Sequence, residues 1–171
     1  DNYALFGTAY ARKAIGKHII TTQIEHHAIL HACQQLEKEG FEITYLPVDE
    51  TGLISIDDLK NALRQDTILV SIMFANNEVG TIQPIKEIGN LLKDHQAYFH
   101  TDAVQVIGSL RIDVKDLGVT MLSMSGHKFY GPKGIGALYI KEGTKIESLI
   151  HGGGQEQGRR AGTENVPAVV G

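Results

Sequence analysis

The segment TILVSIMFA, residues 67–75, is the feature that most restricts the fold of this chain. Almost every side chain in it is apolar, so a strand formed here has no strongly polar face. Strands of this composition are buried on both sides, as in a parallel sheet whose two faces are covered by helices. The segment therefore predicts a central strand of such a sheet.

Helix and strand patterns alternate along the rest of the chain. Helices are predicted at residues 2–15, 25–39, 56–64 and 84–95, and strands at residues 18–22, 41–48, 67–75, 97–101, 119–123 and 135–141. This alternation is typical of βαβ units. The predicted fold class is α/β, with a mostly parallel sheet covered by helices.

Composition narrows the function classes. The chain has 171 residues, enough for one domain with a sizeable core, and a formal net charge of -4. No long basic run suggests a nucleic-acid surface, and no apolar stretch approaches the roughly 18 residues of a membrane helix. The start does not have the pattern of a signal peptide. The single cysteine fits a reducing compartment, so a cytoplasmic protein is expected. No metal site is expected.

Polar residues follow the predicted strands where each strand ends. They are Asn77, Asp102, Gln105, Ser125, His127 and Lys128. The carboxyl ends of strands in an open α/β sheet form its ligand crevice, so these segments are expected to supply one pocket. A lysine that forms a Schiff base, together with an acid that holds a pyridinium nitrogen, is what pyridoxal-phosphate chemistry requires. Lys128 and Asp102 provide that pair.

Several strings carry a family resemblance over almost the whole chain, from Gly16 onward. They are EHHA (25–28), NNEVG (76–80), TDAVQ (101–105), SGHKFYGPKGIGALY (125–139), GGGQE (152–156) and RRAGTEN (159–165). Through them the chain resembles the cysteine desulfurases of the NifS/IscS class, which are fold-type I pyridoxal-phosphate enzymes of the class V aminotransferase family. The resemblance implies that residues 1–171 belong to the large cofactor-binding domain, which binds pyridoxal 5'-phosphate.

The resemblance also implies individual roles. Lys128 is expected to carry the cofactor, Asp102 to hold the ring nitrogen, and His26 to stack on the ring and move protons. Asn77 and Gln105 are expected to hydrogen-bond the phenolic oxygen of the cofactor.

Three further residues are expected at the cofactor phosphate. Ser125 and His127 would bind it within the same subunit. Thr163 would reach the phosphate of the partner subunit's cofactor, which implies a homodimer.

The implied reaction removes sulfur from L-cysteine and gives L-alanine and a protein persulfide. The persulfide sulfur then passes to an iron-sulfur scaffold or another sulfur-acceptor protein, for cluster assembly or tRNA thiolation. The sulfur-accepting cysteine, the arginine for the substrate carboxylate and the upstream phosphate loop of the resembled family have no counterpart here. The chain is therefore read as a fragment and is expected to be inactive alone.

The sequence leaves alternative functions open. A selenocysteine lyase or an aminotransferase of the same fold would share the cofactor motif, although GPKG and RAGTEN favour the desulfurase. A degenerate relative that only binds partners is a third reading, which the intact set of Lys128, Asp102, His26 and Gln105 disfavours. Cys33 lies on the apolar face of its helix and is expected to be buried and inert.

Two neighbours of predicted site residues are given no role in cofactor binding. Asn76 is assigned to an Asx-turn after the strand. His27 is an additional histidine for which the resemblance implies no role.

Overall fold

Six strands form one sheet in the computed structural model, which describes all residues, 1–171. They are β1 (His18–Thr22), β2 (Glu42–Leu46), β3 (Thr67–Ser71), β4 (Tyr98–Asp102), β5 (Met121–Ser125) and β6 (Gly136–Ile140). Their order is β2-β1-β3-β4-β5-β6, and every neighbouring pair is parallel except β5 and β6, which are antiparallel. The predicted mostly parallel α/β sheet is confirmed.

Helices cover both faces of the sheet. They are α1 (Asn2–Arg12), α2 (His27–Lys38), α3 (Ile56–Ala62) and α4 (Ile85–Leu92). A fifth helix, α5 (Val166–Val170), has no buried residue, and short 3-10 turns lie at Gly126–Phe129 and Glu156–Gly158. One apolar cluster joins α1 and α2 to the sheet, and a second joins α3 and α4 to its other face. The sheet is therefore buried on both sides, as the apolar strand at residues 67–75 predicts.

Local chemistry explains where the helices begin and end. Ser55 caps α3 by accepting a hydrogen bond from the Asp58 amide at 3.2 Å. The helix ends at Ala62 because Leu63 is extended, so the predicted range 56–64 is two residues too long. Gly16 is required by a close approach, since a Cβ there would overlap the carbonyl of Asp66.

The third strand continues to pair beyond its regular end. The Ile72 amide donates to the His100 carbonyl at 3.1 Å, and the Phe74 amide to the Asp102 carbonyl at 2.8 Å. Residues 67–75 are all buried. On the other side β1 has already ended at Thr22, so this extension of β3 has a strand neighbour on one side and not on both.

Two buried histidines cross-link the sheet. The His18 ring joins Thr67 at 2.7 Å and Thr44 at 2.8 Å. The His100 ring joins Ser71 at 2.9 Å and Ser123 at 2.8 Å, so each imidazole connects three adjacent strands. Burial lowers the pKa of both histidines. Nothing in the local sequence pattern indicated these contacts.

Candidate active site

A cavity of about 240 Å³ opens at the carboxyl ends of the parallel strands. Three strand ends and the first turn of α2 form its wall, as expected for an open α/β sheet. Every predicted site residue except Thr163 lines it. The full set is Asp1, His26, Ala28, Met73, Ala75, Asn77, Asp102, Val104, Gln105, Ser125, His127 and Lys128.

Asp102 is the buried acid of this cavity. It is the last residue of β4 and is 7% exposed. Its Oδ1 accepts a hydrogen bond from the Val104 amide at 2.9 Å, which leaves the other oxygen uncommitted. Burial raises the pKa of this carboxyl, while the Val104 hydrogen bond and the charges of His26 and Lys128 act in the opposite direction. The strand end thus presents a desolvated carboxyl to the cavity.

Lys128 is held by a closed connection between β5 and β6. It lies in the 3-10 turn Gly126–Phe129 and is exposed on the cavity side. The Gly126 amide donates to the Ile135 carbonyl at 2.9 Å, where the two antiparallel strands meet. A Cβ at Gly126 would lie 2.7 Å from the Ile135 side chain, so the close approach requires glycine. The two antiparallel strands therefore anchor both ends of residues 126–135, which form the lysine loop.

Ser125 and His127 are hydrogen-bonded to each other. The Ser125 hydroxyl lies 2.9 Å from Nδ1 of His127, and both residues line the cavity beside Lys128. The family resemblance implies that both side chains bind the same phosphate, and it does not imply this contact. A hydroxyl and an imidazole can each donate a hydrogen bond to an anion, and this contact couples the two groups.

His26 and Asn77 also line the cavity. His26 is the N-cap of α2, and its Nδ1 accepts a hydrogen bond from the Ala28 amide at 3.1 Å. Asn77 donates to the Glu78 carboxylate at 2.9 Å and is exposed. The neighbour His27 does not line the cavity. Its ring centroid lies 5.0 Å from that of His31, one helical turn away.

Asn76 is a structural residue, as predicted. Its Oδ1 accepts hydrogen bonds from the amides of Glu78 and Val79 at 2.8 and 2.9 Å, which is an Asx-turn. Its Nδ2 donates to the Ile24 carbonyl at 2.9 Å. The paired asparagines therefore have different tasks, because Asn76 holds the loop and Asn77 faces the cavity.

Glu25 is the residue that sequence reasoning missed. It is 5% exposed, and its Oε1 accepts hydrogen bonds from the Thr22 hydroxyl and the Met73 amide, both at 2.8 Å. Its Oε2 is buried without a hydrogen-bond partner. Burial raises its pKa to about 8. The local signal was an acid that directly precedes a site histidine, but the contact with Met73 is long-range and invisible in the sequence.

Thr163 lies outside the cavity. It is exposed in a segment that folds against its own chain, where the Ala161 amide donates to the Ile150 carbonyl at 3.2 Å. The Gly162 amide donates to the side chain of Gln155 at 3.2 Å. The contact of Thr163 with a partner subunit remains a prediction.

Cys33 has the environment of an inert thiol. It is fully buried on α2, and burial raises its pKa to about 12. A thiol with that pKa is almost wholly protonated near neutral pH and is a poor nucleophile. The expectation that Cys33 is buried is confirmed.

The residues of the cavity fit pyridoxal phosphate. An amine for an aldehyde, a desolvated carboxyl for a ring nitrogen, and a hydroxyl–imidazole pair for a phosphate lie around one space. No group of three or more His, Cys, Asp or Glu side chains is arranged to hold a metal ion. None of the helices has both the length and the apolar character needed to span a bilayer.

Comparison with protein families and curated proteins gives consistent matches. The model of the aminotransferase class-V family matches residues 2–171. The whole chain aligns with the cysteine desulfurase IscS of Clostridium botulinum at 68% identity over 171 residues and covers 43% of that protein. It aligns with the IscS of Methanosarcina thermophila at 66% identity and covers 42% of it.

Solved structures share the fold. A structure described as SspA in complex with cysteine has a TM-score of 0.95 and 48% identity, over 99% of this chain and 49% of that one. A NifS-like protein has a TM-score of 0.95 and 46% identity, over 99% of this chain and 47% of that one. The chain thus spans less than half the length of these proteins.

Proposed function

The chain belongs to the class-V aminotransferase family, and on that premise we propose that it is the cofactor-binding part of a pyridoxal-phosphate-dependent cysteine desulfurase. The observation that carries the proposal is the convergence of Lys128, Asp102 and His26 on one cavity. The names of the relatives and the cysteine in the SspA structure support L-cysteine as the substrate.

Each cavity residue has a task that its position allows. Lys128 binds the cofactor aldehyde and afterwards holds a proton beside the substrate Cα. Asp102 accepts the ring N–H, and its buried site strengthens that hydrogen bond. Bound pyridoxal phosphate supplies an electron sink for the substrate Cα.

The remaining residues orient the cofactor. Nδ1 of His26 accepts the Ala28 amide, so Nε2 is the ring nitrogen that carries a proton, and the ring stacks on the cofactor. Gln105 and Asn77 donate hydrogen bonds to the phenolic oxygen. Ser125 and His127 bind the phosphate. Thr163 completes the phosphate site of the partner subunit, so the enzyme is a homodimer.

The sulfur leaves the active site as a persulfide. A thiolate of an acceptor cysteine attacks the substrate sulfur, the C–S bond breaks, and protonation of the former Cβ gives L-alanine. The acceptor is a cysteine other than Cys33, whose thiol is buried. An iron-sulfur scaffold or another acceptor protein receives the sulfur. We place the enzyme in the cytoplasm, because the one cysteine of this chain is free, which suits a reducing compartment.

Product analysis tests the reaction. The full-length protein that carries this chain is incubated with L-cysteine and pyridoxal phosphate, and alanine and persulfide are quantified, with Lys128→Ala as the inactive control. Equal amounts of alanine and transferred sulfur are expected. A keto acid product would indicate an aminotransferase, and turnover of selenocysteine without cysteine would indicate a selenocysteine lyase. Either result would overturn the proposal.

A further inference from the structure

We propose that Glu25 is a positioning residue of this active site, because its buried carboxyl joins the end of β3 to the loop that carries His26. The inference deepens the proposed function and rests on it for the role of His26. It concerns a residue with no contact to the cavity, so Glu25 acts through its neighbours.

The carboxyl of Glu25 accepts a backbone hydrogen bond at a point where β3 no longer has a strand neighbour on that side. Beyond Ser71, the amides of Ile72 and Phe74 bond to β4, whereas the Met73 amide points toward the side where β1 has ended. There Oε1 of Glu25 accepts the Met73 hydrogen bond at 2.8 Å. The same oxygen accepts the hydroxyl of Thr22, the last residue of β1, at 2.8 Å. One side chain therefore continues the pairing of β1 with β3 after the backbone of β1 has turned away.

A second contact joins the same two loops in the opposite direction. Asn76, in the loop after β3, donates to the carbonyl of Ile24, in the loop after β1, at 2.9 Å. Glu25, in the loop after β1, thus bonds to the segment after β3, and Asn76, in the loop after β3, bonds to the loop after β1. The residue that follows each of them, His26 and Asn77, lines the cavity.

The orientation of His26 depends on this junction. Its Nδ1 is held by the Ala28 amide in the first turn of α2, so the ring moves with that turn. The contacts of Glu25 and Asn76 with neighbouring backbone fix the start of this turn against the sheet. Displacement of a positioned group by as little as about 1 Å can lower a rate by roughly two orders of magnitude.

Stability alone does not explain a glutamate at this position. Its Oε2 is buried without a partner, and burial raises its pKa to about 8. Incomplete pairing of a buried polar group costs free energy, even though Oε1 of the same carboxyl satisfies the Met73 amide. Groups held at such a cost are more frequent at functional sites.

A double-mutant cycle tests the proposal in the full-length protein. The variants are Glu25→Ala, Glu25→Gln, His26→Ala and Glu25→Ala with His26→Ala, read out by kcat/KM for cysteine and by the absorbance band of bound pyridoxal phosphate. We expect Glu25→Ala to lower kcat/KM about tenfold or more and to shift the band. Glu25→Gln keeps an acceptor oxygen and should retain most of both. In the His26→Ala background, Glu25→Ala should change kcat/KM by less than about twofold and should leave the absorbance band in place.

Thr44→Val is the matched control. It removes a partner of the buried His18 ring at the opposite end of the sheet and should leave both readouts unchanged. Equal losses from Glu25→Ala with and without His26 would overturn the positioning role, as would a loss in Thr44→Val of the same size. If the protein lacked desulfurase activity, the proposed function would fail, while the cycle measured on the absorbance band would still decide the role of Glu25.

Discussion

The hydroxyl of Ser125 lies 2.9 Å from Nδ1 of His127 on the cavity wall. Two side chains that share a hydrogen bond respond to substitution together. We expect Ser125→Ala and His127→Gln each to weaken pyridoxal-phosphate binding by about 1–2 kcal/mol. The double variant should lose clearly less than the sum, as measured by absorbance titration. Additive losses would mean that the two residues contact the cofactor independently.

Lys128 should carry the cofactor covalently. The amine is presented to the cavity by a loop that both β5 and β6 anchor. Borohydride reduction of the cofactor-loaded, full-length protein, followed by peptide mapping, should place the pyridoxyl group on Lys128. A label on Lys133 or Lys141 would show the assignment to be wrong.

Asp102→Asn should retain part of the cofactor affinity and lose most of the turnover. An amide fills the same space but cannot stabilise a protonated ring nitrogen as a carboxylate does. A fall in kcat of about 10²-fold is expected, comparable to the loss of a single electrostatic contact in other active sites. Asp113→Asn is the control, since Asp113 caps an exposed turn. Near-full activity of Asp102→Asn would identify Asp102 as a structural turn residue.

Glu25 should make stability fall as the pH rises. Burial raises its pKa to about 8 in the folded chain, against 4.5 for an unperturbed glutamate, so between these values the folded state binds more protons than the unfolded state. The free energy of unfolding therefore decreases from about pH 4.5 to pH 8, to which repulsion from Asp102 contributes. Glu25→Gln should gain on the order of 1–4 kcal/mol relative to wild type across this window. Denaturant melts at several pH values measure this difference, and parallel curves would contradict it.

Cys33 substitutions should leave the sulfur chemistry unchanged. In the full-length protein, Cys33→Ala and Cys33→Ser should form persulfide at the wild-type rate, because the thiol is fully buried. Cys33→Ser should be less stable than wild type by roughly 1–3 kcal/mol, since its hydroxyl enters an apolar cluster. Loss of persulfide formation in a folded variant would make Cys33 the nucleophile.

The parts of the structure that follow from local pattern could be predicted from the sequence. The apolar run at 67–75 identifies a buried strand, and the rule that ligands lie at strand ends brings Asp102 and Lys128 together. The convergence of these residues on one cavity follows from topology and not from their spacing in the chain.

Long-range contacts could not be predicted from local sequence patterns. The Glu25–Met73 contact depends on where β1 stops relative to β3, which no local periodicity encodes. The same holds for the cross-links of His18 and His100 between strands. The short helix Val166–Val170 was also missed, because five residues are too few to show a helical repeat.

The anchored lysine loop also has a thermodynamic consequence. Its first and last residues are held together by the Gly126–Ile135 hydrogen bond next to the Ser125–Gly136 rung of the β5–β6 pair. The backbone of the loop therefore loses its conformational freedom when the sheet forms and has little left to lose when a ligand arrives. Cofactor capture should then carry a small entropic cost that falls mainly on the Lys128 side chain.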